Sequence, residues 1–440
     1  MQNIFFLNQM EIEYLNHASI IIKDGPVSLL IDPWLWGTCF DEGWGLRFNN
    51  PDAINKTKDC THIWVSHFHQ DHFHRPTLTR VLELNPTIQF IGNRSYNFQL
   101  DDAARQIGFQ NIVSLFERKT LDITDKFSIT RFPTTGIDNM LLIKTSKEVI
   151  LNYNDCNIPL FTQKKIKKKI GRIDYLLTNF NHAGKLFYYP YPGSEVIKEK
   201  LVKSFADNYT IFDPEHILPF ASYHYYRAPE SFKQNDAMLD ANDLQKLSPK
   251  IIAWHPGDKL QIISGKPVIK KISEIMVNTP DKLQRRNSYT LDQLRSAGIK
   301  FSKNLRSRFG FLSRFSPSLY IRVTDTNDLI ALHPHKGVFE PASNVQPHII
   351  AHSEVLYNWL SKPYGTDTFV VGAHFDIVNE NRVPLKWKIV IGLLVDNKLD
   401  FRSFIGMIFK KQGIKFLWNR REEFVGILFS WRLAPSYHDD

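Results

Sequence analysis

Short apolar runs bounded by turn residues open the chain. They begin at Ile12, Ser19 and Val27, and Asp24 with Gly25 separates the last two. An Asp-Gly pair between apolar runs is typical of a hairpin, so we expect three strands here. Residues 61–65 predict a further short strand, and Pro76 with the apolar spacing that follows it predicts a helix.

Strands and helices then alternate. The pattern predicts strands over 88–91 and 112–115 around a helix over 98–107, and a hairpin over 140–153. Such alternation is typical of an α/β layer architecture. A chain of 440 residues is longer than a single small hydrophobic core can serve. We therefore predict a catalytic domain over residues 1–265 and an α+β accessory domain over 266–440, with a basic helix over 288–315 and an amphipathic helical pattern over 401–431.

The net charge indicates the class of substrate, and the cysteine content indicates the redox compartment. Lys and Arg number 55 against 45 Asp and Glu, a net charge of +10. This excess suits a small anionic or nucleotide-linked substrate, which we favour over polymeric nucleic acid. Three cysteines do not build a disulfide framework, so a reducing, cytoplasmic setting is expected. No apolar run approaches the ~18 residues of a spanning helix, so no transmembrane segment is expected.

Residues 61–75 have the highest concentration of ligand-type side chains, and they read THIWVSHFHQDHFHR. His67, His69, Asp71 and His72 form H-x-H-x-D-H directly after the short predicted strand. Imidazole and carboxylate are the ligands that zinc and iron prefer. If the loop turns His67 and His69 to one side, the next turn brings Asp71 and His72 to a second position, and two adjacent metals follow. The alternative is a His-rich surface loop that binds nothing.

This pattern resembles the signature of the metallo-β-lactamase fold superfamily. The phrases IDPWLWG, NYNDCN, ILPFASYHYY and KPYGTDTFVVG are similar to the metallo-β-lactamase-like part of the CMP-N-acetylneuraminate hydroxylase family, from about residue 12 to about residue 380. The resemblance implies an αββα sandwich with a two-metal site. It also implies that Asp155 bridges the metals and that Asp32 orients a metal-bound His. His17 could face the site from the first hairpin, although a core His is the more ordinary reading.

The chain departs from the superfamily pattern at two ligand positions. Where zinc hydrolases usually carry a His before the Asp155 strand, Asp138 is the only strong ligand type available. Ala221 stands where the last His ligand is usual, and His224, three residues on, is retained as a metal-ligand candidate. The loop that follows a predicted strand over 174–178 brings His182 and Lys185 towards the metals as candidate substrate contacts.

Two enzymatic functions fit such a site. Two metals can share a hydroxide, which gives hydrolysis of a phosphodiester, ester or amide with zinc or manganese, and Asp71 then accepts the proton of the attacking water. The same set of His and carboxylate ligands, when it holds iron, can activate dioxygen. The resemblance favours a di-iron oxygenase acting on an amine- or sugar-containing metabolite, nucleotide-linked substrates included. A binding module without turnover is a third hypothesis.

The electron supply is a further departure. The hydroxylase family draws electrons through a Rieske iron–sulfur module, which needs C-x-H and C-x-x-H ligand pairs. This sequence has Cys60-Thr-His62 but no C-x-x-H. Electrons would then come from a separate protein, or the reaction needs none.

Overall fold

The structure is a computed structural model that describes residues 10–95, 98–134, 138–156, 158–185, 191–263, 265–271, 275–341 and 345–378, with residues 409 and 414. The amphipathic pattern predicted over 401–431 therefore lies outside the described residues, apart from those two positions. Within the described part, none of the helices has the length and apolar character needed to cross a bilayer.

Regular structure covers most of the described chain. The strands are β1 (Glu11–Asn16), β2 (Ser19–Asp24), β3 (Val27–Ile31), β4 (Thr38–Cys39), β5 (Trp44–Leu46), β6 (Phe48–Asn49), β7 (His62–Trp64), β8 (Gln89–Ser95), β9 (Phe98–Gln99), β10 (Ile112–Phe116), β11 (Thr120–Asp122), β12 (Ser128–Pro133), β13 (Asn139–Lys144), β14 (Val149–Asn154), β15 (Tyr175–Thr178), β16 (His216–Pro219), β17 (His224–Tyr226), β18 (Asp258–Ile263), β19 (Lys266–Lys271), β20 (Met276–Val277), β21 (Leu319–Val323), β22 (Leu329–His333), β23 (Gly337–Phe339), β24 (Ile349–Ala351) and β25 (Asp376–Ile377). The helices are α1 (Arg75–Leu84), α2 (Leu100–Ile107), α3 (Leu160–Ile170), α4 (Ser194–Phe212), α5 (Ala241–Gln245), α6 (Leu291–Phe309), α7 (Ser353–Ser361) and α8 (Gly365–Val371).

Two large sheets carry the N-terminal part of the chain. The first has the strand order β10-β8-β7-β3-β2-β1-β18-β19, with β9 on β8, and the second has the order β11-β12-β13-β14-β15-β16. The predicted hairpins over 19–31 and 140–153 are confirmed by the antiparallel pairs β2/β3 and β13/β14. The short strand β7 pairs in parallel with β3 and β8, which places the His-rich loop at the end of three adjacent strands.

The two sheets pack face to face. Ile20 and Ile22 of the first sheet share one buried cluster with Ile143, Ile150 and Leu177 of the second. Because successive side chains point to opposite faces of a strand, the residues between them point outwards. There, a second cluster joins the first sheet to α1 and α2, and a third joins the second sheet to α3 and α4. The layers are therefore helix, sheet, sheet, helix, which confirms the predicted αββα sandwich.

The C-terminal part builds a separate apolar cluster. A five-stranded sheet of order β23-β22-β21-β24-β25 packs with residues of α6, α7 and α8. The helix predicted over 288–315 appears as α6 followed by a 3-10 turn at Gly310–Phe315. The hairpin β18/β19 spans the predicted boundary at residue 265 and extends the first sheet to Lys271, and the division into two domains stays a prediction.

Candidate dinuclear metal centre

The His-rich loop runs from β7 to α1, as the sequence predicts. His74 caps α1, and Pro76 lies in its first turn, where the missing N–H has no intrahelical partner to lose. The start of the loop is fixed at Ser66, whose N–H donates to Asp32 Oδ1 at 2.6 Å. Its carbonyl accepts from Asn93 at 2.8 Å and from Asn139 at 2.7 Å. These bonds tie the loop to the ends of β3, β8 and β13.

One group of ligand-type side chains lies at the mouth of the sandwich. One ligand atom from each of His67, His69, Asp138 and Asp155 lies within 4.8 Å of the others. His67 Nε2 is 2.8 Å from His69 Nδ1 and 3.5 Å from Asp138 Oδ1. The carboxylate of Asp138 thus stands where the superfamily pattern predicts an imidazole.

A second group lies beside the first. Atoms of His17, Asp71 and His72 also lie within 4.8 Å of one another, with His17 Nε2 3.3 Å from Asp71 Oδ2. Asp155 Oδ2 lies 3.4 Å from His72 Nε2 and 3.7 Å from His67 Nε2. Asp155 therefore stands between the groups, where one carboxylate can bridge two cations.

Outer partners fix the orientation of two of these imidazoles. Ser66 Oγ lies 2.8 Å from His67 Nδ1, and Asp32 Oδ2 lies 3.0 Å from His72 Nδ1. Asp32 is fully buried and also accepts from Asn154 Nδ2 at 2.7 Å. Because each Nδ1 is engaged, each Nε2 points into the centre, the arrangement in which an outer group raises the basicity of a ligating His.

Electrostatics favour the ligating forms of His67 and Asp71 but leave His72 protonated until a cation binds. Burial, with neighbouring His72, lowers the pKa of His67 well below its ordinary value. Burial alone would raise the pKa of Asp71, but His72 and His17 lower it well below the usual range. Burial would lower the pKa of His72, yet the charges of Asp71, Asp155 and Asp32 raise it well above. Asp71 is thus ionised and His67 is neutral, and a cation would replace the proton that the neighbouring carboxylates hold on His72.

The donor set fits two cations. Among the described residues, Asp71 Oδ1 and Asp155 Oδ1 are buried without a hydrogen-bond partner. A buried ionised oxygen without a partner is costly, and a coordinated cation removes that cost. Imidazole and carboxylate are also the ligand types of zinc and non-haem iron.

His17, which the sequence analysis set aside, lies in the second group in place of His224. His224 begins β17 and is held by pairing with Leu46. Its ring stacks on Trp44 with centroids 3.9 Å apart and lies 5.3 Å from the ring of His17. The ring of His17 therefore belongs to the second group, and the ring of His224 lies next to His17 outside that group. The predicted role of His224 as a metal ligand stays untested.

The local backbone explains why His17 was hard to recognise. It follows β1 in a tight connection to β2 with φ of 29°, and Asp32 and Asn154 also have left-handed backbones at strand ends. Non-glycine residues in this region are uncommon and tend to occur at functional sites. The only sequence signal for His17 is a polar residue at a tight turn between two strands that both enter the core.

The two predicted substrate contacts differ in their surroundings. His182 is buried and stacks on Tyr226 with centroids 5.3 Å apart, and burial lowers its pKa to about 4. Neither of its ring nitrogens has a partner among the described residues. Lys185 Nζ instead bonds to the Glu230 carbonyl, to Ser231 Oγ and to Asp376 Oδ1 at 2.9 Å, so this cation links the loop to the C-terminal segment.

Comparisons with known proteins find similar sequences for the part of the chain that carries this site. Residues 11–178 match the family model of the beta-lactamase superfamily domain. The cytidine monophosphate-N-acetylneuraminic acid hydroxylase of Pongo pygmaeus is 26% identical over 269 residues, 56% of this chain and 45% of the relative. The chain thus spans about half the length of the curated relatives it matches.

Two solved structures superpose in part on the chain. CmlA, a diiron beta-hydroxylase from Streptomyces venezuelae, has a TM-score of 0.40 and 15% identity, covering 58% of this chain and 54% of CmlA. Igni18, a metallo hydrolase from Ignicoccus hospitalis, has a TM-score of 0.40 and 14% identity, covering 58% of this chain and 98% of Igni18. With the layer order, the conclusion is that the fold is the metallo-β-lactamase αββα sandwich, that residues 11–178 match the beta-lactamase superfamily domain, and that the chain is similar in sequence to the CMP-N-acetylneuraminic acid hydroxylases.

Proposed function

We propose that the protein is a dinuclear-metal oxygenase, with iron preferred over zinc or manganese, acting on an amine- or sugar-containing metabolite. The observation that carries the proposal is Asp138 Oδ1 at 3.5 Å from His67 Nε2. It gives the first group two imidazoles and two carboxylates. Two imidazoles with a carboxylate and open positions are what non-haem iron uses, whereas zinc hydrolases of the superfamily favour a third imidazole. When bound, such a metal pair would supply the activation of dioxygen.

The chain's own residues would hold and shield that chemistry. His67, His69 and Asp138 would bind one metal and His17, Asp71 and His72 the other, with Asp155 shared. The buried rings of Trp34, Phe40, Trp44 and Tyr226 form one cluster beside the site, with Trp34 5.3 Å from the ring of His17 and Phe40 6.2 Å from that of His69. Apolar walls of this kind exclude water and protect a reactive centre from side reactions.

The proposed substrate contacts are His182 and His224. Both rings are buried, and none of their four nitrogens has a partner within the described part of the chain. A neutral imidazole presents one donor and one acceptor, a match for hydroxyl and amide groups such as those of an amino sugar. The names of the curated relatives support a nucleotide-linked sugar, and the net charge of +10 suits its phosphate. We propose a separate protein as the electron donor.

Metal content and oxygen uptake test the proposal. Protein purified without added metal should carry iron at close to two per chain, and with a chemical reductant and a cytidine-linked amino sugar it should consume oxygen. Asp155→Asn should lose both properties. Asp240→Asn is the matched control, because Asp240 pairs with His255 outside both groups. Stoichiometric zinc without iron, and no oxygen uptake with any reductant, would remove the proposal.

A zinc- or manganese-dependent hydrolase is the second candidate. The unpartnered Asp71 Oδ1 favours it, since a buried carboxylate oxygen can accept the proton of an attacking water. Chromogenic phosphodiesters, esters and amides should then be cleaved with added zinc or manganese, and Asp71→Asn should be inactive. Equal rates for the two proteins would exclude this function.

A further inference from the structure

Three consecutive residues beside the metal groups have left-handed backbones. Phe40, Asp41 and Glu42 have φ values of 54°, 56° and 63°. None is glycine, so each conformation is strained and persists only where the surroundings enforce it. We call residues 40–42 the left-handed turn.

Residues from the C-terminal part of the chain hold this turn. His374 Nε2 lies 2.7 Å from the Phe40 carbonyl. Asn358 Nδ2 donates to Asp41 Oδ2 at 2.5 Å, and Lys362 Nζ lies 3.6 Å from Asp41 Oδ1. The partners lie more than three hundred positions away in the sequence, so the turn depends on the docked C-terminal segment.

The bond from His374 has a defined direction. Arg285 Nη2 lies 3.0 Å from His374 Nδ1, and a guanidinium can only donate. Nδ1 is therefore the acceptor, and Nε2 carries the proton that is donated to Phe40. His374 is fully buried, and Arg285 is fixed by Glu230 Oε2 at 3.0 Å.

The left-handed turn also contacts the H-x-H-x-D-H loop. The Phe40 N–H donates to Gln70 Oε1 at 2.6 Å, and Cys39 Sγ donates to the Gln70 carbonyl at 3.1 Å. Gln70 lies between His69 and Asp71, one residue from each metal group. A continuous path of short contacts therefore joins His374 to both groups.

The C-terminal segment packs so closely against Gly43 that a side chain at that position would have no space. A Cβ added to Gly43 would lie 2.7 Å from the Gly372 carbonyl and 2.8 Å from His374 Nε2. The backbone of the C-terminal segment thus rests directly on the loop that follows the left-handed turn.

We propose that His374 is a positioning residue for the metal centre, because it fixes the left-handed turn and, through Gln70, the relative placement of His69 and Asp71. The inference rests on the proposed function only in that the two groups bind metal. Removal of His374 should weaken metal binding without removing any ligand.

Cobalt(II) alone is the probe, titrated into metal-free protein and followed by its visible absorption, with thermal unfolding measured in parallel. His374→Ala should weaken cobalt affinity by about 10-fold, the lower end of the effect of losing a residue that contacts a ligand directly, because His374 acts through Phe40 and Gln70. His374→Gln should restore most of it, because one amide can accept from Arg285 and donate to Phe40. His348→Ala is the matched control: this half-buried His accepts from the Tyr320 N–H in the C-terminal sheet, far along the chain from the left-handed turn.

The outcomes separate the two proposals. Wild-type protein that binds no cobalt would overturn both. Wild-type affinity in His374→Ala, or an equal loss in His348→Ala, would overturn the positioning role alone. Should His374→Ala fail to fold, His374→Phe carries the test, because its ring fills similar space but can neither accept from Arg285 nor donate to Phe40, and wild-type cobalt affinity in that variant overturns the role.

Discussion

His17 Nε2 lies 3.3 Å from Asp71 Oδ2, although 54 positions separate the two residues in the chain. His17 comes from the connection of the first hairpin and Asp71 from the loop between β7 and α1, and they meet because β1, β2, β3 and β7 are neighbours in one sheet. The second metal group therefore depends on tertiary structure.

Replacing His17 should separate its role from that of His224. His17→Ala removes one of three nitrogen or oxygen ligands from the second group, so the second equivalent of metal should bind at least about tenfold more weakly. Metal content after dialysis should approach one ion per chain. His224→Ala should keep two ions, and the reverse pattern would show that His224 is the ligand.

Asp138 should decide metal preference. Asp138→His would give the first group three imidazoles, the set that zinc favours in this type of site. Competition between iron(II) and zinc(II) under anaerobic conditions should shift towards zinc by tenfold or more, about 1.4 kcal/mol. Asp138→Asn, which has similar size but no charge, is the control and should weaken both metals. An unchanged competition ratio in Asp138→His would contradict the role given to Asp138.

The sequence was sufficient for the layers and for the placement of His67 with His69 and of Asp71 with His72. Short apolar runs predicted the hairpins, and H-x-H-x-D-H predicted the crossover with its two ligand pairs, because these are local patterns. Asp138 was found only through the resemblance, since a lone carboxylate in a loop has many ordinary roles. Lys185 could not be placed, because its partner Asp376 arrives from the far end of the described chain.

The outer partners were partly predictable. Asp32 was expected to orient a metal-bound His, and the structure places its carboxylate 3.0 Å from His72 Nδ1. Ser66, which contacts His67, has no distinguishing pattern in the sequence. Left-handed backbones at His17, Asp32 and Asn154 could not be predicted either, because tertiary contacts enforce them against local preference.

Asp32→Asn should weaken metal binding while it keeps the shape of the site. The amide cannot accept from both Ser66 and Asn154 as the carboxylate does, and it removes the charge beside His72. We expect about a 10- to 100-fold loss of affinity in a cobalt titration. Asp240→Asn, which changes the half-exposed pair of Asp240 with His255, should bind cobalt as the wild type does. Equal affinity in the two variants would remove the orienting role.

The metal-free protein should lose stability in mild acid. Burial lowers the pKa of His182 to about 4, and burial with the nearby Arg285 lowers that of His374 to about 4. In the unfolded chain both would titrate near the ordinary value of about 6.5. Between these values the unfolded state binds more protons than the folded state, so the stability contributed by each group is present above about pH 6.5 and is lost as the pH falls towards 4.

The size of this loss can be bounded and assigned to one residue. The difference between pKa values of about 6.5 and about 4 corresponds to at most about 3.4 kcal/mol for each group. Urea unfolding of chelator-treated protein between pH 7 and pH 4 should therefore show a falling free energy of unfolding. His182→Gln, which cannot titrate, should show a shallower fall, while His352→Gln, at the partly buried N-cap of α7, should follow the wild type. A parallel fall in wild type and His182→Gln would mean that His182 is protonated in the folded protein, and the donor and acceptor role proposed for its neutral ring would fail.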